Sequence, residues 1–132
     1  MRKGLRFCVY LLAGLVLVGQ AATSLAQENP IFGKWEGTWQ EVSKSYGSPA
    51  TLVISPGETE GTINLVYSWE ASLHFGAGTA KFKNLSLVNG KFGWKGKGRN
   101  YEFQYRSNGT IHGEGRGTAY DYVYADFKKV SK

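Results

Sequence analysis

Gly33-Lys34-Trp35-Glu36-Gly37-Thr38-Trp39-Gln40 is the stretch whose reading decides the fold. Trp35, Gly37 and Trp39 alternate with Lys34, Glu36, Thr38 and Gln40, so an extended strand puts both indoles on one face and the polar groups on the other. Gly37, bare between the two indoles, leaves room for a ring or a neighbouring backbone to approach. An aromatic, glycine-bearing strand of this kind suits the wall of a small closed β-barrel.

Upstream, residues 1–26 read as an export signal. Arg2, Lys3 and Arg6 form a basic start, Phe7 to Val18 an apolar core, and Ser24-Leu25-Ala26 a small-x-small cleavage site. The apolar run is about a dozen residues, short of the roughly 18 that span a bilayer. The expectation is a secreted or periplasmic domain over residues 27–132, cut after Ala26, with no transmembrane helix. Cys8 is the only cysteine and falls inside the leader. The domain therefore has neither a disulfide nor a thiol nucleophile, and core burial has to hold it together.

Three of the sixteen basic residues belong to the leader, which leaves thirteen against ten acids and a formal charge of +3. That mild surplus argues against a nucleic-acid partner. Tyr, Trp and Phe supply 17 residues of the domain and Gly 15, a mixture of short strands and tight turns.

Downstream of residue 27 the pattern alternates and shows no helical period. Strands are expected near Gly33–Val42, Ala50–Ser55, Thr62–Trp69, Thr79–Lys83 with Leu85–Val88, Lys91–Lys95, Asn100–Arg106, Thr110–Arg116 and Ala119–Lys129. Asn89-Gly90 between two apolar runs is a two-residue hairpin signal, since both residues tolerate positive φ. The alternation slips between Phe82 and Leu85, which places a bulge near Lys83-Asn84. The expected architecture is all-β: an antiparallel up-and-down meander of about eight strands closing into a barrel, with an open sandwich as the other arrangement.

Parity assigns Trp35, Trp39, Leu52, Ile54, Ile63, Leu65, Tyr67, Trp69, Phe92, Trp94, Tyr101, Phe103 and Tyr105 to inward faces. Gly113, Gly115 and Gly117 share the face of Ile111, where the wall either bends or is covered by an aromatic ring. In the last strand, Ala119, Val123, Ala125 and Phe127 are expected inward. Tyr120, Tyr122 and Tyr124 then form an outward stripe.

The opening Gly33-x-Trp35-x-Gly37-x-Trp39 resembles the first strand of the calycin barrels, the lipocalin, fatty-acid-binding and avidin group. Together with Thr51-Leu52-Val53-Ile54, Leu65-Val66-Tyr67-Ser68-Trp69 and Asn108-Gly109-Thr110, it is similar to a small secreted bacterial domain found alone or attached to hydrolases. The likeness runs over most of residues 33–130. It implies a calycin-like barrel and supplies no activity. The chain is shorter than a lipocalin, and Lys128-Lys129 stand where a lipocalin often has an arginine beneath the first-strand Trp.

No catalytic residues, metal ligands or cofactor are expected. His74 and His112 lack metal-ligand spacing, no Gly-x-Ser-x-Gly elbow occurs, and Gly93-x-x-Gly96-x-Gly98 opens no helix. Binding is better supported. Trp35, Trp39, Tyr67, Trp69, Trp94 and Tyr105 are many rings for so narrow a barrel, and those that line an open end would suit a flat aromatic, sugar-like or apolar small molecule. The alternative is an interaction or inhibitor module for an exported hydrolase, using Tyr120, Tyr122 and Tyr124 as a partner or glycan platform.

Overall fold

The structure, a computed structural model, describes residues 29–41, 47–71, 76–118 and 121–131. The expected leader, Val42, His74, Ala119 and Tyr120 lie outside the described residues.

Eight antiparallel strands follow one another: β1 (Gly33–Glu41), β2 (Gly47–Pro56), β3 (Thr62–Trp69), β4 (Gly78–Ser86), β5 (Lys91–Lys95), β6 (Asn100–Tyr105), β7 (Ile111–Arg116) and β8 (Tyr122–Ser131). Their order in the single sheet is β4-β3-β2-β1-β8-β7-β6-β5. Every strand pairs with its sequence neighbour except β4 with β5, and β1 closes on β8 through pairs such as Trp35 with Lys129 and Gln40 with Tyr124. The result is a nearly closed barrel with one seam.

The seam lies at the hairpin that the sequence marks most clearly. Asn89 and Gly90 adopt φ of 52° and 75°, and Val88 and Lys91 exchange backbone hydrogen bonds of 3.1 and 2.9 Å. The turn forms as expected, but its arms do not zip beyond Val88 and Lys91. One residue earlier, Leu87 N–H donates to the Gly61 carbonyl at 2.9 Å, which draws the chain towards β3 and away from β5. Further along, Phe82 and Trp94 stack across the seam with ring centroids 4.5 Å apart.

The irregularity expected at Lys83-Asn84 is present: the β3–β4 register shifts between Ile63 and Leu65. Asn84 takes a left-handed φ of 57°, and the Asn64 side chain accepts its N–H at 3.0 Å. The last strand starts later than expected, at Tyr122, after backbone hydrogen bonds that link Asp121 to Gly117 and Thr118. Gly117 N–H donates to the Asp121 carbonyl at 2.7 Å, and Asp121 N–H to that of Thr118 at 3.2 Å. From there Val123, Ala125 and Phe127 point inward and are buried, as their aliphatic alternation implies.

Bare backbone at two glycines sets how tightly the wall closes. A Cβ on Gly37 would stand 2.8 Å from Phe127 Cδ1, so the Phe127 ring occupies the room between the two first-strand indoles. A Cβ on Gly113 would stand 2.7 Å from Phe103 Cε1, so an aromatic ring covers the glycine run of β7. Around Phe103 and Phe127 the core continues through Leu52, Ile54, Ile63, Leu65, Phe92 and Ile111, all buried.

The barrel has two unlike ends. At one, Trp35 is shut in: its indole N–H donates to the Ile31 carbonyl at 2.9 Å, Tyr105 meets it edge-on at 6.1 Å, and Lys129 Nζ stands 5.7 Å from the ring centre. The other end carries the site.

Candidate functional site

The open end holds a pocket of about 490 Å³. Most of its rings come from four strands, while Gly47 and Ser48 of β2, Tyr101 of β6, Val123 of β8 and one hairpin tip complete the lining. Trp39 comes from β1, Tyr67 and Trp69 from β3, Phe82 from β4, and Trp94 from β5. The tip, Gly96-Lys97-Gly98-Arg99, is closed by Gly96 N–H donating to the Arg99 carbonyl at 2.8 Å. Strand periodicity explains the arrangement: each ring occupies an inward position in the half of its strand towards the open end.

Trp39 and Tyr67 form the floor. The Trp39 indole N–H donates to Tyr67 Oη at 2.8 Å, and both residues are buried. Burial, with the nearby Tyr101 phenol adding to it, pushes the Tyr67 pKa well above the ordinary phenol range, so its hydroxyl keeps its proton. That hydroxyl accepts from Trp39 and donates to nothing among the described residues.

The walls are two sets of nearly parallel rings. Tyr67 and Trp69 stack at 5.1 Å with planes 28° apart. Trp94 stacks with Phe82 and with Tyr101, the planes 29° and 30° apart, and Tyr67 touches it at 5.5 Å. Trp69 is fixed from two sides. Its indole N–H donates to the Gly76 carbonyl at 2.9 Å, and its six-membered ring lies so close over Gly78 that a Cβ there would overlap Trp69 Cζ2.

Charge is confined to the mouth. Arg99 binds Asp121 with both arms of its guanidinium, Nε at 2.8 Å and Nη2 at 2.6 Å, which ties the β5–β6 tip to the β7–β8 turn. These hydrogen bonds hold the Asp121 carboxyl below its usual value and raise Arg99. Gly117 permits the junction, because a Cβ there would stand 2.8 Å from the Gly98 carbonyl oxygen. Glu41 and Glu70 contribute to the lips at β1 and β3, and Lys95 and Lys97 to the lip at β5–β6.

Of the six rings singled out in the sequence, Trp39, Tyr67, Trp69 and Trp94 meet in this pocket. Trp35 and Tyr105 meet each other at the opposite end. Sequence reading passed over Phe82, Tyr101 and the Arg99–Asp121 clasp as site residues. Inward parity marks the first two, since Tyr101 shares the face of Phe103 and Phe82 precedes the bulge. No sequence signal announces an ion pair 22 residues apart.

On the outer wall, His112 lies between Asp126, 2.8 Å from Nδ1, and Glu114, 3.3 Å from Nε2. Tyr122 donates its hydroxyl to Glu114 at 3.0 Å beneath the Arg116 guanidinium, 4.9 Å from the ring centre. Tyr124 lies 6.1 Å from Tyr122. Among the described residues no group of three His, Cys, Asp or Glu side chains is placed to hold a metal ion.

Comparison of the chain with protein-family models, with curated proteins and with solved structures finds no significant match.

Proposed function

We propose that the protein is an exported, non-catalytic barrel that binds a small flat aromatic, sugar-like or apolar ligand in the pocket at its open end. One observation carries this reading. The pocket of about 490 Å³ is walled by Trp39, Tyr67, Trp69, Phe82 and Trp94, with charged side chains only at its mouth. Such a cavity lies within the roughly 300–1,000 Å³ range of small-molecule sites, and ring faces beside a few polar groups are their usual lining. The rings cost little to keep in place because each is stacked or hydrogen-bonded already. A ligand therefore meets a prepared surface and pays little ordering entropy.

Native mass spectrometry of the protein purified from its own host tests this. A small molecule bound to the wild type and lost from Trp94→Ala supports the reading. A bare mass, with tryptophan emission unmoved by aromatic, sugar and apolar ligands, refutes it.

A second reading, a partner platform on the outer face of β8, draws on Tyr122 and Tyr124, half-exposed and side by side. Equal recovery of partners by wild type and a Tyr122→Ala/Tyr124→Ala variant argues against it.

A further inference from the structure

The pocket separates charge from ring surface in a way that selects among ligands. Its deep half is made by Trp39, Tyr67, Phe82 and Trp94, none of which carries a charge. An ionised group placed there would be desolvated without a partner, which is strongly unfavourable. Ring faces also carry negative quadrupole potential, so an anion is repelled from them. Any charge on the ligand therefore has to stay at the mouth.

The cations at the mouth are not equivalent. Arg99 is engaged by Asp121 on both arms of its guanidinium. Lys95 and Lys97, exposed on the neighbouring tip, have no ion-pair partner among the described residues. Lys95 ends β5 directly after Trp94, Lys97 follows two residues later on the tip, and both contribute to the lip of the pocket. Glu41 and Glu70 occupy the β1 and β3 lips, which leaves the β5–β6 lip as the favourable seat for a negative group. Exposed lysines along both edges of the seam, Lys81 and Lys83 on β4 and Lys91 on β5, add to the positive potential on that side. Inside, near-parallel pairs favour a planar guest over a bulky one, because contact area with a flat wall is greatest for a flat ligand. The Tyr67 hydroxyl retains a proton to donate to an acceptor on that guest.

We infer that the ligand is a planar aromatic anion, an arene carboxylate or sulfonate, with its rings against Trp69 and Trp94 and its anionic group outside at Lys95 and Lys97. This rests on the pocket reading above and narrows it to a chemical class.

The test titrates the full domain with 2-naphthoate, its neutral isostere 2-naphthamide and the cation 2-naphthylmethylammonium, followed by tryptophan emission and calorimetry. At low ionic strength naphthoate binds about tenfold more tightly than the amide, as expected from two partly hydrated lysines at contact distance. The advantage shrinks as salt is added. In a Lys95→Gln/Lys97→Gln variant with an unchanged unfolding midpoint, naphthoate and naphthamide bind alike. Equal binding of all three probes by the wild type, or preference for the cation, overturns the anion assignment and leaves the pocket reading standing. If no probe gives a signal that Trp94→Ala abolishes, the pocket reading falls and this inference falls with it.

Discussion

Trp39 and Tyr67, 28 residues apart in the chain, are joined by a single hydrogen bond of 2.8 Å from the indole N–H to the phenol oxygen, and this pair is the floor of the pocket. The bond belongs to the fold as much as to the site. Without it, a buried donor on β1 would have no acceptor. Tyr67→Phe removes the acceptor and keeps the ring, so it isolates the cost of stranding the indole N–H, about 1–3 kcal/mol. The expected result is a lower urea midpoint with an unchanged slope, and smaller than additive loss when Trp39→Phe is combined with it. Strict additivity in that cycle refutes the coupling.

Gly78 controls where Trp69 lies. The pair faces each other across β3 and β4, and the indole occupies the space that any Cβ on residue 78 would claim. Gly78→Ala therefore displaces Trp69, breaks its bond to the Gly76 carbonyl and disturbs the Tyr67–Trp69 stack. Overpacking of this kind costs about 1–3 kcal/mol. Near-ultraviolet circular dichroism reads the stack directly, and its aromatic bands are expected to weaken in the variant. Unaltered bands refute the positioning role.

Much of this was legible in the sequence, and the boundary has a physical meaning. Period-two alternation identified the inward rings, because one face of every strand is core and the other is solvent. Positive φ at Asn89 was also legible, since asparagine tolerates the left-handed region better than most side chains, and so was the bulge at Lys83-Asn84, though not the left-handed φ that Asn84 takes there. The failure of β4 to zip onto β5 was not. It depends on Leu87 N–H finding the Gly61 carbonyl and on Phe82 meeting Trp94, both long-range choices. The separation of Trp35 and Tyr105 from the other four rings was hidden for a similar reason. Parity says which face a ring takes but not which end of the barrel it reaches, and that is fixed by strand register. The Arg99–Asp121 clasp depends on two hairpin tips meeting, which no local pattern encodes.

Stability is expected to fall at both extremes of pH, through different groups. Arg99 hydrogen bonds hold Asp121 below its usual 3.8. Burial pushes Glu114 upward, but hydrogen bonds from Tyr122, Arg116 and His112 outweigh it and leave the group below 4.5. A carboxyl depressed in the folded state stabilises above its unfolded pKa, and that contribution is lost as pH falls through the folded value. The acid limb should therefore begin near pH 4, with a slope of at most about 1.4 kcal/mol per pH unit for each group, reduced by solvent at the partly exposed Asp121. Tyr67 and Tyr122 are shifted upward, first by burial, so the fold favours their protonated forms. Their contribution is whole below pH 10 and is lost as pH rises beyond it. Urea midpoints measured across pH check both limbs. Asp121→Asn should flatten the acid limb and Tyr67→Phe the alkaline one, and unchanged limbs in those variants refute the assignment.

Asn84 does two things in the bulge, and two substitutions separate them. Its backbone sits at a φ of 57°, while its side-chain oxygen accepts the Glu58 N–H at 2.8 Å and so ties β4 to the turn between β2 and β3. Asn84→Gly keeps the left-handed backbone comfortable and loses only the side-chain bond, a cost of about 1 kcal/mol at this exposed position. Asn84→Ala loses the same bond and also forces a Cβ into the left-handed region, adding roughly 1–2 kcal/mol. Alanine should therefore lower the urea midpoint about twice as far as glycine, reversing the usual order of the two residues in a strand. Should glycine prove as costly as alanine, the bulge is held by the Asn84 side chain alone. Its backbone geometry would then play no part in fixing the Phe82 side of the pocket.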